Sequence, residues 1–345
     1  MPFTAEQVEN AANAALNFHM KKGTPRDQHI QDKPLLSKLR GKQRSIPGGK
    51  GRVEMPVVME NVSTLQGFEY DNSVSYGSPA KIRRVSYPYR LFHIGVSFSM
   101  HELIHDGISV VDSAAGKNTV QHSEREATML ANILDHKIRD MQEGFDKGLN
   151  ELFWKDGTQS ALAFPGLLSL IVDNPAAATV VGGIDQNANA KWRNRANLTI
   201  TVTTPSLQGV LRTLDKEMPQ LRRFGGKPTL GFAGSDMIDE LKAEYREKGT
   251  YTQSGFKEDK DLSAGDVSFD GISIMYDPTL DDLGYQKRLY LIDTSHLFPF
   301  VVDGEDEKSH SPSRPEDKYV FYRAKTWVGG LACNQRNGCG VYAFA

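Results

Sequence analysis

The pentapeptide His101-Glu102-Leu103-Ile104-His105 has the residue types and spacing of a zinc hydrolase site. In an H-E-x-x-H pattern the two histidines share one helix face and can bind zinc, while the glutamate activates a water molecule. Glu124 and Glu126 lie roughly where enzymes with a glutamate as third ligand place it. A zinc metallohydrolase is therefore one function to consider, and bound zinc that is lost in His101→Ala would support it.

The residues around this motif favour a structural connector instead. Ser99 and Glu102 match a capping box, and Asp106-Gly107 ends the helical pattern after barely two turns. The glycine and third histidine of a metzincin would fall on Ile108 and Val111. A pentapeptide of this kind also arises by chance in ordinary chains. We therefore interpret it as a short capped connector and predict no catalytic residue and no metal ligand.

Other catalytic patterns are missing from the sequence. It contains no G-x-S-x-G, no P-loop and no dinucleotide-binding fingerprint. A Gly-Gly-Lys occurs at residues 225–227, but it follows a predicted helix and precedes a predicted strand, the reverse of a phosphate loop. We therefore expect no cofactor and no enzymatic activity.

The composition is that of an ordinary soluble protein. The 345 residues carry a net charge of −2, which provides no global attraction to nucleic acid or membranes. The sequence has no long apolar run and no signal-peptide pattern, so we expect synthesis in the cytoplasm and no membrane partner. If Asn337-Gly338 forms a two-residue hairpin turn, Cys333 and Cys339 lie on opposite sheet faces and remain free thiols.

The segment 33–52 is strongly basic. It has seven Lys or Arg residues, no acid and no aromatic residue, and it follows one predicted helix between residues 4 and 23. Such a segment cannot bury a core by itself, so we expect a neighbouring subunit to order it. A nonspecific contact with a DNA backbone is the alternative. The candidate contact residues are Lys38, Arg40, Lys42 and Arg44.

The rest of the chain predicts an α+β fold. Residues 52–98 have the β-branched and aromatic content of a long two-stranded ribbon, which is only marginally stable alone. From Ser123, apolar residues at steps of three and four predict a helix of about thirty residues, roughly 45 Å long. Residues 165–300 alternate between helices and strands, with helices predicted to start at Thr204-Pro205 and at Ser235. An acidic loop at 304–318 and two closing strands follow.

This order of parts resembles the major capsid protein family of tailed bacteriophages, with the Hong Kong 97-like, or Johnson, fold. The resemblance is clearest in KGLNELFWKDGTQSALAFPGLLSLI, residues 147–171. It extends to VGGIDQNANAKWRN at 181–194 and to the closing RAKTWVGGLACNQRNGCGVYAF at 323–344. These are loose patterns, but the ordered architecture covers almost the whole chain.

The resemblance implies a division of the chain and a function. Residues 1–50 would be an N-terminal arm, 51–98 an E-loop β-hairpin, 164–314 an axial domain, and 99–163 with 315–345 a peripheral domain containing the long spine helix. The chain would assemble as hexamers and pentamers into an icosahedral shell around double-stranded DNA. It would be made in the host cytoplasm and end in the virion capsid. An encapsulin-like protein nanocompartment is the alternative with the same fold.

The resemblance also implies partners. Fifty residues are too few for the helical extension with which some relatives scaffold their own assembly, so we expect a separate scaffolding protein. Because the chain begins at Met1, we expect no removal of a propeptide. A portal protein is implied as well. The predicted turn of the ribbon, YDNSVSYGSPA at 70–80, lacks a lysine for covalent crosslinking, so the shell would depend on noncovalent contacts or decoration proteins.

Charges on the ribbon and the spine helix complete the expected contacts. One strand of the ribbon is basic, and the start of the spine helix is acidic. We expect the basic strand to meet the acidic patch of a neighbouring copy. The residues are Lys81, Arg83, Arg84 and Arg90 on the ribbon, and Glu124 and Glu126 on the helix.

Overall fold

The computed structural model describes residues 3–4, 31–49, 51–59, 65–74, 76, 82–99, 110–111, 124–203, 208–247, 267–310 and 320–344. The chain separates into two compact units. Unit one comprises 1–31, 91–149 and 304–328, and unit two comprises 32–90, 150–303 and 329–345. The division of the chain into arm, E-loop, peripheral and axial domains stays a prediction.

The elements are numbered along the chain. The strands are β1 (Phe3–Thr4), β2 (Arg44–Ile46), β3 (Arg52–Val58), β4 (Ile82–Pro88), β5 (Arg90–Ser99), β6 (Val110–Val111), β7 (Val180–Val181), β8 (Ile184–Asp185), β9 (Arg195–Ile200), β10 (Leu230–Ala233), β11 (Val267–Phe269), β12 (Ile272–Tyr276), β13 (Arg288–Ile292), β14 (Leu297–Val302), β15 (Lys308–His310), β16 (Val320–Cys333) and β17 (Gly340–Phe344). The helices are α1 (Pro34–Arg40), α2 (Glu124–Trp154), α3 (Leu167–Leu170), α4 (Gly209–Arg222), α5 (Ser235–Glu247) and α6 (Pro278–Asp282).

The long helix of unit one follows its sequence pattern closely. Helix α2 has 31 residues, so the predicted spine helix is confirmed. Its buried side chains recur at steps of three or four, which places them on one face. In the part of α2 whose side chains the structure describes, this face includes Ile138, Met141, Phe145 and Leu149.

Unit one also contains a small sheet in which the first part of β16 pairs with β15 and β5. The Phe92 and Trp327 rings of this sheet lie 5.9 Å apart between centroids. Lys325 is 1% exposed, and its Nζ donates to Glu307 Oε2 at 2.6 Å and to Gln142 Oε1 at 2.5 Å. The carboxylate compensates the charge of the buried ammonium, and two of its three N–H donors have acceptors.

Unit two is built on a mixed sheet with the strand order β11-β12-β10-β13-β17-β9. On one face, Leu289 and Leu291 belong to a cluster with the buried sides of α4 and α5. Tyr290 points to the other face, where its ring lies 5.3 Å from that of Trp154. The sheet is therefore buried on both faces, which explains its nearly continuous apolar strands.

Several predicted boundaries in unit two need correction. Helix α5 begins at Ser235 as predicted, whereas the described part of the preceding helix begins at Gly209, and Thr204-Pro205 lies outside the described residues. The strand expected over residues 272–280 ends at Tyr276. Asp277 then accepts a hydrogen bond from the Thr279 amide at 2.9 Å and starts α6, with Pro278 in the first helical position.

The two closing strands exist but do not form a hairpin. Strand β16 pairs with β14, and β17 pairs with β13 and β9. The prediction that Cys333 and Cys339 lie on opposite faces of one hairpin is therefore wrong. Both cysteines are free and buried. A hydrogen bond with the Cys333 side chain, together with burial, raises the pKa of the Cys339 thiol well above its usual value.

None of the described helices combines the length and the apolar character needed to cross a bilayer.

Candidate intersubunit surfaces

The basic segment is anchored in its own chain through α1. Leu35, Leu36 and Leu39 have exposures of 0%, 3% and 0%. Pro34 occupies the first turn, where its missing N–H costs nothing. The expectation that this segment needs a neighbouring subunit to order it is therefore wrong for α1, because its leucines share one helix face and are buried within unit two.

Buried polar side chains satisfy the free amides at the start of α1. The Leu36 amide donates to Asn150 Oδ1 at 3.2 Å, and Asn150 Nδ2 donates to Thr279 Oγ1 at 2.7 Å. The Leu35 amide donates to the Asp277 carboxylate, which also accepts from Trp154 Nε1 at 2.9 Å. Burial raises the pKa of Asp277, and these donors partly offset the shift.

The predicted contact cations of this segment differ in their surroundings. Arg44 donates to the Ser295 carbonyl at 3.0 Å, and its guanidinium lies 3.6 Å from the centre of the Phe298 ring. It is therefore held by its own chain. Lys38, Arg40 and Lys42 are exposed on the surface of unit two.

The predicted ribbon is shorter than its sequence pattern. Strands β3 and β4 pair antiparallel from Arg52↔Pro88 to Val58↔Ile82. After Tyr89 the chain continues as β5, which pairs with β16 instead of β3. Proline has no amide to donate, so Pro88 marks a natural place for the ladder to end.

The base of the ribbon is held by buried contacts. Val85 and Tyr87 are 0% and 1% exposed, and the Tyr87 hydroxyl donates to the Cys333 carbonyl at 2.8 Å. The Ser86 amide donates to the Gly182 carbonyl at 3.0 Å. Gly182 has a φ of +62°, and a Cβ there would lie 2.9 Å from the Tyr87 hydroxyl. Only glycine therefore fits this close approach without strain.

The described residues between Val58 and Ile82 expose large apolar side chains, and we call them the ribbon tip. Most of the exposed large hydrophobic residues in the described part of the chain lie there. An apolar cluster of this kind on a folded chain indicates a surface that another molecule covers. The residues and their exposures are Val58 70%, Leu65 104%, Phe68 71%, Tyr70 109%, Val74 42%, Tyr76 94% and Ile82 66%.

The structure describes three of the four charged candidate residues on the ribbon. Arg83 and Arg84 are exposed on β4. Arg84 Nη1 lies 3.8 Å from Glu54 Oε2 across the ladder, at 78% side-chain exposure. Arg90 is half-buried, and its Nε has no hydrogen-bond partner among the described residues. Lys81 lies outside the described residues.

The acidic partners are less fully described. Glu124 and Glu126 lie in the first turn of α2, as predicted, but their side chains fall outside the description. The predicted pairing of these acids with the ribbon of a neighbouring copy therefore stays a prediction.

No local sequence pattern indicates a buried cation near the ribbon base. Arg336 is 1% exposed, and no carboxylate in the described part of the chain pairs with it. Its Nε donates to the Leu170 carbonyl at 2.7 Å, and its Nη2 donates to Asn194 Oδ1 at 3.0 Å. Its Nη1 donates to the Trp192 carbonyl at 3.2 Å. Burial lowers the pKa of Arg336, and the neutral acceptors satisfy its donors.

The zinc pattern at residues 101–105 lies outside the described residues. Among the residues that the structure does describe, no group of three or more His, Cys, Asp or Glu side chains could hold a metal ion.

Solved structures identify the fold. The cyanophage A-1(L) capsid matches with a TM-score of 0.63 at 14% identity, over 93% of this chain and 94% of that one. The capsid of a native GTA particle matches with a TM-score of 0.53 at 12% identity, over 94% of this chain and 92% of that one. The chain has the Hong Kong 97-like capsid fold.

The same fold extends to a compartment protein. The holo-SrpI encapsulin complex of Synechococcus elongatus PCC 7942 matches with a TM-score of 0.52 at 10% identity, over 95% of this chain and 93% of that one. No family model and no curated protein matches the sequence. The predicted α+β class and the Hong Kong 97-like fold are thus confirmed by structure, at a sequence similarity too low to transfer a residue's role.

Proposed function

We propose that this chain is a structural major capsid protein. It assembles as hexamers and pentamers into an icosahedral shell that encloses double-stranded DNA. The Hong Kong 97-like fold, shared over almost the full length of a phage capsid chain, supports this function. The observation that carries the proposal is the ribbon tip, because its apolar side chains have no cover in a single chain.

Burial of the ribbon tip by a neighbouring copy drives the association. Full burial of a large apolar side chain contributes about 1.5–3 kcal/mol relative to exposure. Leu65, Phe68, Tyr70 and Tyr76 are all at least 71% exposed. Several such side chains on each copy supply a substantial part of a subunit contact, and a ring of copies repeats that contact at every interface.

Charge pairing sets the register of the ribbon on its neighbour. The exposed Arg83 and Arg84, with Lys81 and Arg90, face Glu124 and Glu126 of the adjacent copy. Reversal of Arg83 and Arg84 to glutamate should prevent assembly. Reversal of Glu124 and Glu126 to lysine in the same chain should restore it. A combined variant that stays unassembled, although its subunit is folded, would contradict this pairing.

The surface cations Lys38, Arg40 and Lys42 have a secondary role. They contact neighbouring subunits or the phosphate backbone of the packaged DNA without sequence preference. Arg44 contributes through its own chain, because its guanidinium is already engaged.

The proposal includes partners and a location. A separate scaffolding protein directs assembly in the host cytoplasm, a portal protein occupies one vertex, and decoration proteins or noncovalent contacts stabilise the mature virion capsid. The chain has no enzymatic role, cofactor or membrane partner in this proposal.

Expression of the chain with the genes that flank it tests the function. We expect closed shells in negative-stain micrographs, and DNA that survives nuclease treatment inside shells from infected or induced cells. Folded subunits that form no particle under any of these conditions would overturn the proposal.

An encapsulin-like nanocompartment is the second candidate function. The match to the SrpI encapsulin, at a TM-score of 0.52, favours it nearly as well as the match to the GTA capsid does. The content of the particle separates the two. Shells that contain a protein and no nuclease-protected DNA would identify a compartment.

A further inference from the structure

A cleft in unit two is lined by cations and lacks acidic residues. It has a volume of about 420 Å³ and lies between residues 174–176, residues 190–196 and the end of α4. Four basic residues line it, and no Asp or Glu does. We call it the cationic cleft, and its basic residues are Lys191, Arg193, Arg195 and Arg223.

Two of these cations are already engaged. Arg195 makes a bidentate pair with Glu217, at 2.7 and 2.9 Å. Arg193 donates to the carbonyls of Gln186 and Asn187 at 2.8 and 2.7 Å. These contacts fix the walls of the cleft.

The other two cations are uncompensated. Lys191 and Arg223 are exposed, and neither side chain has an ion pair or hydrogen bond with any residue in the described part of the chain. The Arg223 guanidinium lies 5.5 Å from the centre of the Phe224 ring. Stacking on an aromatic ring leaves the in-plane N–H groups of an arginine available to a carboxylate.

A second cleft of about 400 Å³ continues from the cationic cleft, and apolar and polar residues line it in equal number. The two clefts share Lys191, Phe224 and Asn337, and Pro56 to Met59 form one apolar wall of the second cleft. Phe224 is 50% exposed. The Asn337 Oδ1 atom, where the two clefts meet, has no hydrogen-bond partner among the described residues. The result is one groove with a cationic part and a part that has one apolar wall.

We propose that this groove binds an acidic segment of a partner protein. One or two carboxylates of the segment pair with Lys191 and Arg223, and an adjacent apolar side chain occupies the cleft beside Phe224. The Asn337 side chain bonds the peptide backbone between them. All of these groups belong to one chain, so the inference does not require that the chain forms a shell.

The distribution of charge favours a peptide over a polynucleotide. A nucleic acid carries one charge per nucleotide and needs cations along its whole path. Here the free cations are only two, Lys191 where the clefts meet and Arg223 in the cationic cleft. In the second cleft, the Arg336 guanidinium already donates to Leu170, Trp192, Gln186 and Asn194. A short segment with charge at one end and an apolar residue at the other matches this pattern.

Fluorescence anisotropy with the full chain tests the proposal. The probe is a fluorescein-labelled peptide of four glutamates followed by four leucines, titrated at low salt. We expect saturable binding that weakens about tenfold or more in the double variant Lys191→Glu/Arg223→Glu. Arg212→Glu/Lys216→Glu, which reverses two exposed charges of α4 outside the groove lining, should bind as the unsubstituted chain does. Circular dichroism confirms that each variant is folded.

Two further variants test whether charge and the Phe224 ring are what the peptide recognises. The charge-conserving double variant Lys191→Arg/Arg223→Lys should retain most of the binding, and Phe224→Ser should weaken it. The proposal is overturned if the unsubstituted chain does not bind the peptide, or if the charge-reversal variant binds it equally well. It is also overturned if a deoxythymidine oligonucleotide displaces the peptide more effectively than an unlabelled copy of the peptide does.

Discussion

The basic segment around α1 and the ribbon tip share one sequence prediction, that each needs a neighbouring copy. They behave differently in the structure. Leu35, Leu36 and Leu39 of α1 are almost fully buried in their own chain, whereas Leu65 and Tyr70 of the ribbon tip are fully exposed. A high content of charge therefore did not prevent local burial. A high content of apolar residues did not ensure it.

The difference depends on what lies opposite each region. Helix α1 finds apolar contacts and also receives two buried acceptors, Asn150 and Asp277, for its free amides. The exposed side chains of the ribbon tip lie at or beyond the last residue pair of the ladder, Val58↔Ile82, and no described residue covers them. The tip is therefore the surface that association must cover, and the five predictions below test this distinction.

The largest expected effect is the loss of assembly in Phe68→Asp/Tyr70→Asp. Both side chains are exposed in the single chain, so the subunit should keep its fold while the contact between copies is lost. Sedimentation velocity should show subunits in place of shells. Asn72→Asp places a charge at the same tip without removing an apolar side chain, and it should still assemble. Normal shells from the double variant would mean that the tip is not a contact surface.

For Leu39→Ala we expect the free energy of unfolding to fall by about 2–5 kcal/mol, because a fully buried side chain leaves a cavity. Urea denaturation of the unassembled Phe68→Asp/Tyr70→Asp chain gives the measurement without a contribution from assembly. Ser37→Ala, on the exposed side of α1, should change stability by less than about 0.5 kcal/mol. Equal stability of the two variants would show that burial of Leu39 does not stabilise the fold, and that α1 is not anchored in its own chain.

Asn150→Ala should cost about 1–3 kcal/mol in the same unassembled background, because it leaves the buried Leu36 amide without an acceptor. Lys147→Ala, an exposed position on α2, is the matched control. Amide hydrogen exchange should also accelerate at Leu36 in Asn150→Ala. An unchanged exchange rate there would show that the amide does not depend on this side chain.

The Cys339 thiol should make stability depend on alkaline pH. The pKa of Cys339 is raised in the folded chain, so its contribution is complete below the unfolded thiol pKa of about 8.5 and is lost as pH rises toward the folded value. We expect unfolding free energy to decrease above about pH 8.5, by at most roughly 1.4 kcal/mol per pH unit. Cys339→Ala should remove this decrease below about pH 10, where tyrosines begin to titrate. If the unfolding free energy of Cys339→Ala depends on pH as that of the unsubstituted chain does, the decrease does not come from Cys339.

The smallest expected effect is that of Tyr87→Phe at the ribbon base. It removes the hydrogen bond to the Cys333 carbonyl and should cost about 0.5–1.5 kcal/mol. Shell formation should be unaffected, in contrast to the substitutions at the tip. Loss of assembly in Tyr87→Phe would show that base and tip act as one unit.

The sequence predicted those parts whose pattern is local and periodic. Helix α2 and the buried face of α4 follow from apolar residues at steps of three and four. Pro34, followed by leucines at 35, 36 and 39, was also a readable helix signal, and the charge of the segment obscured it. Pro88 could have indicated the end of the ribbon ladder.

Contacts between distant residues could not be predicted in this way. The bonds of Arg336 join it to residues 142 to 166 positions away, so no local pattern reports that it is buried. The closing strands were expected to pair through the turn at Asn337-Gly338. They pair with β14 and β13 instead, because strand order in a sheet depends on the whole fold.

Electron cryomicroscopy of the assembled particle tests the central claim most directly, since it shows what lies against Leu65, Phe68, Tyr70 and Tyr76. We predict that a second copy of the chain covers these four side chains while Leu35, Leu36 and Leu39 stay within their own subunit. Ribbon tips left in solvent in a closed shell, or leucines of α1 inserted into a neighbour, would contradict the account.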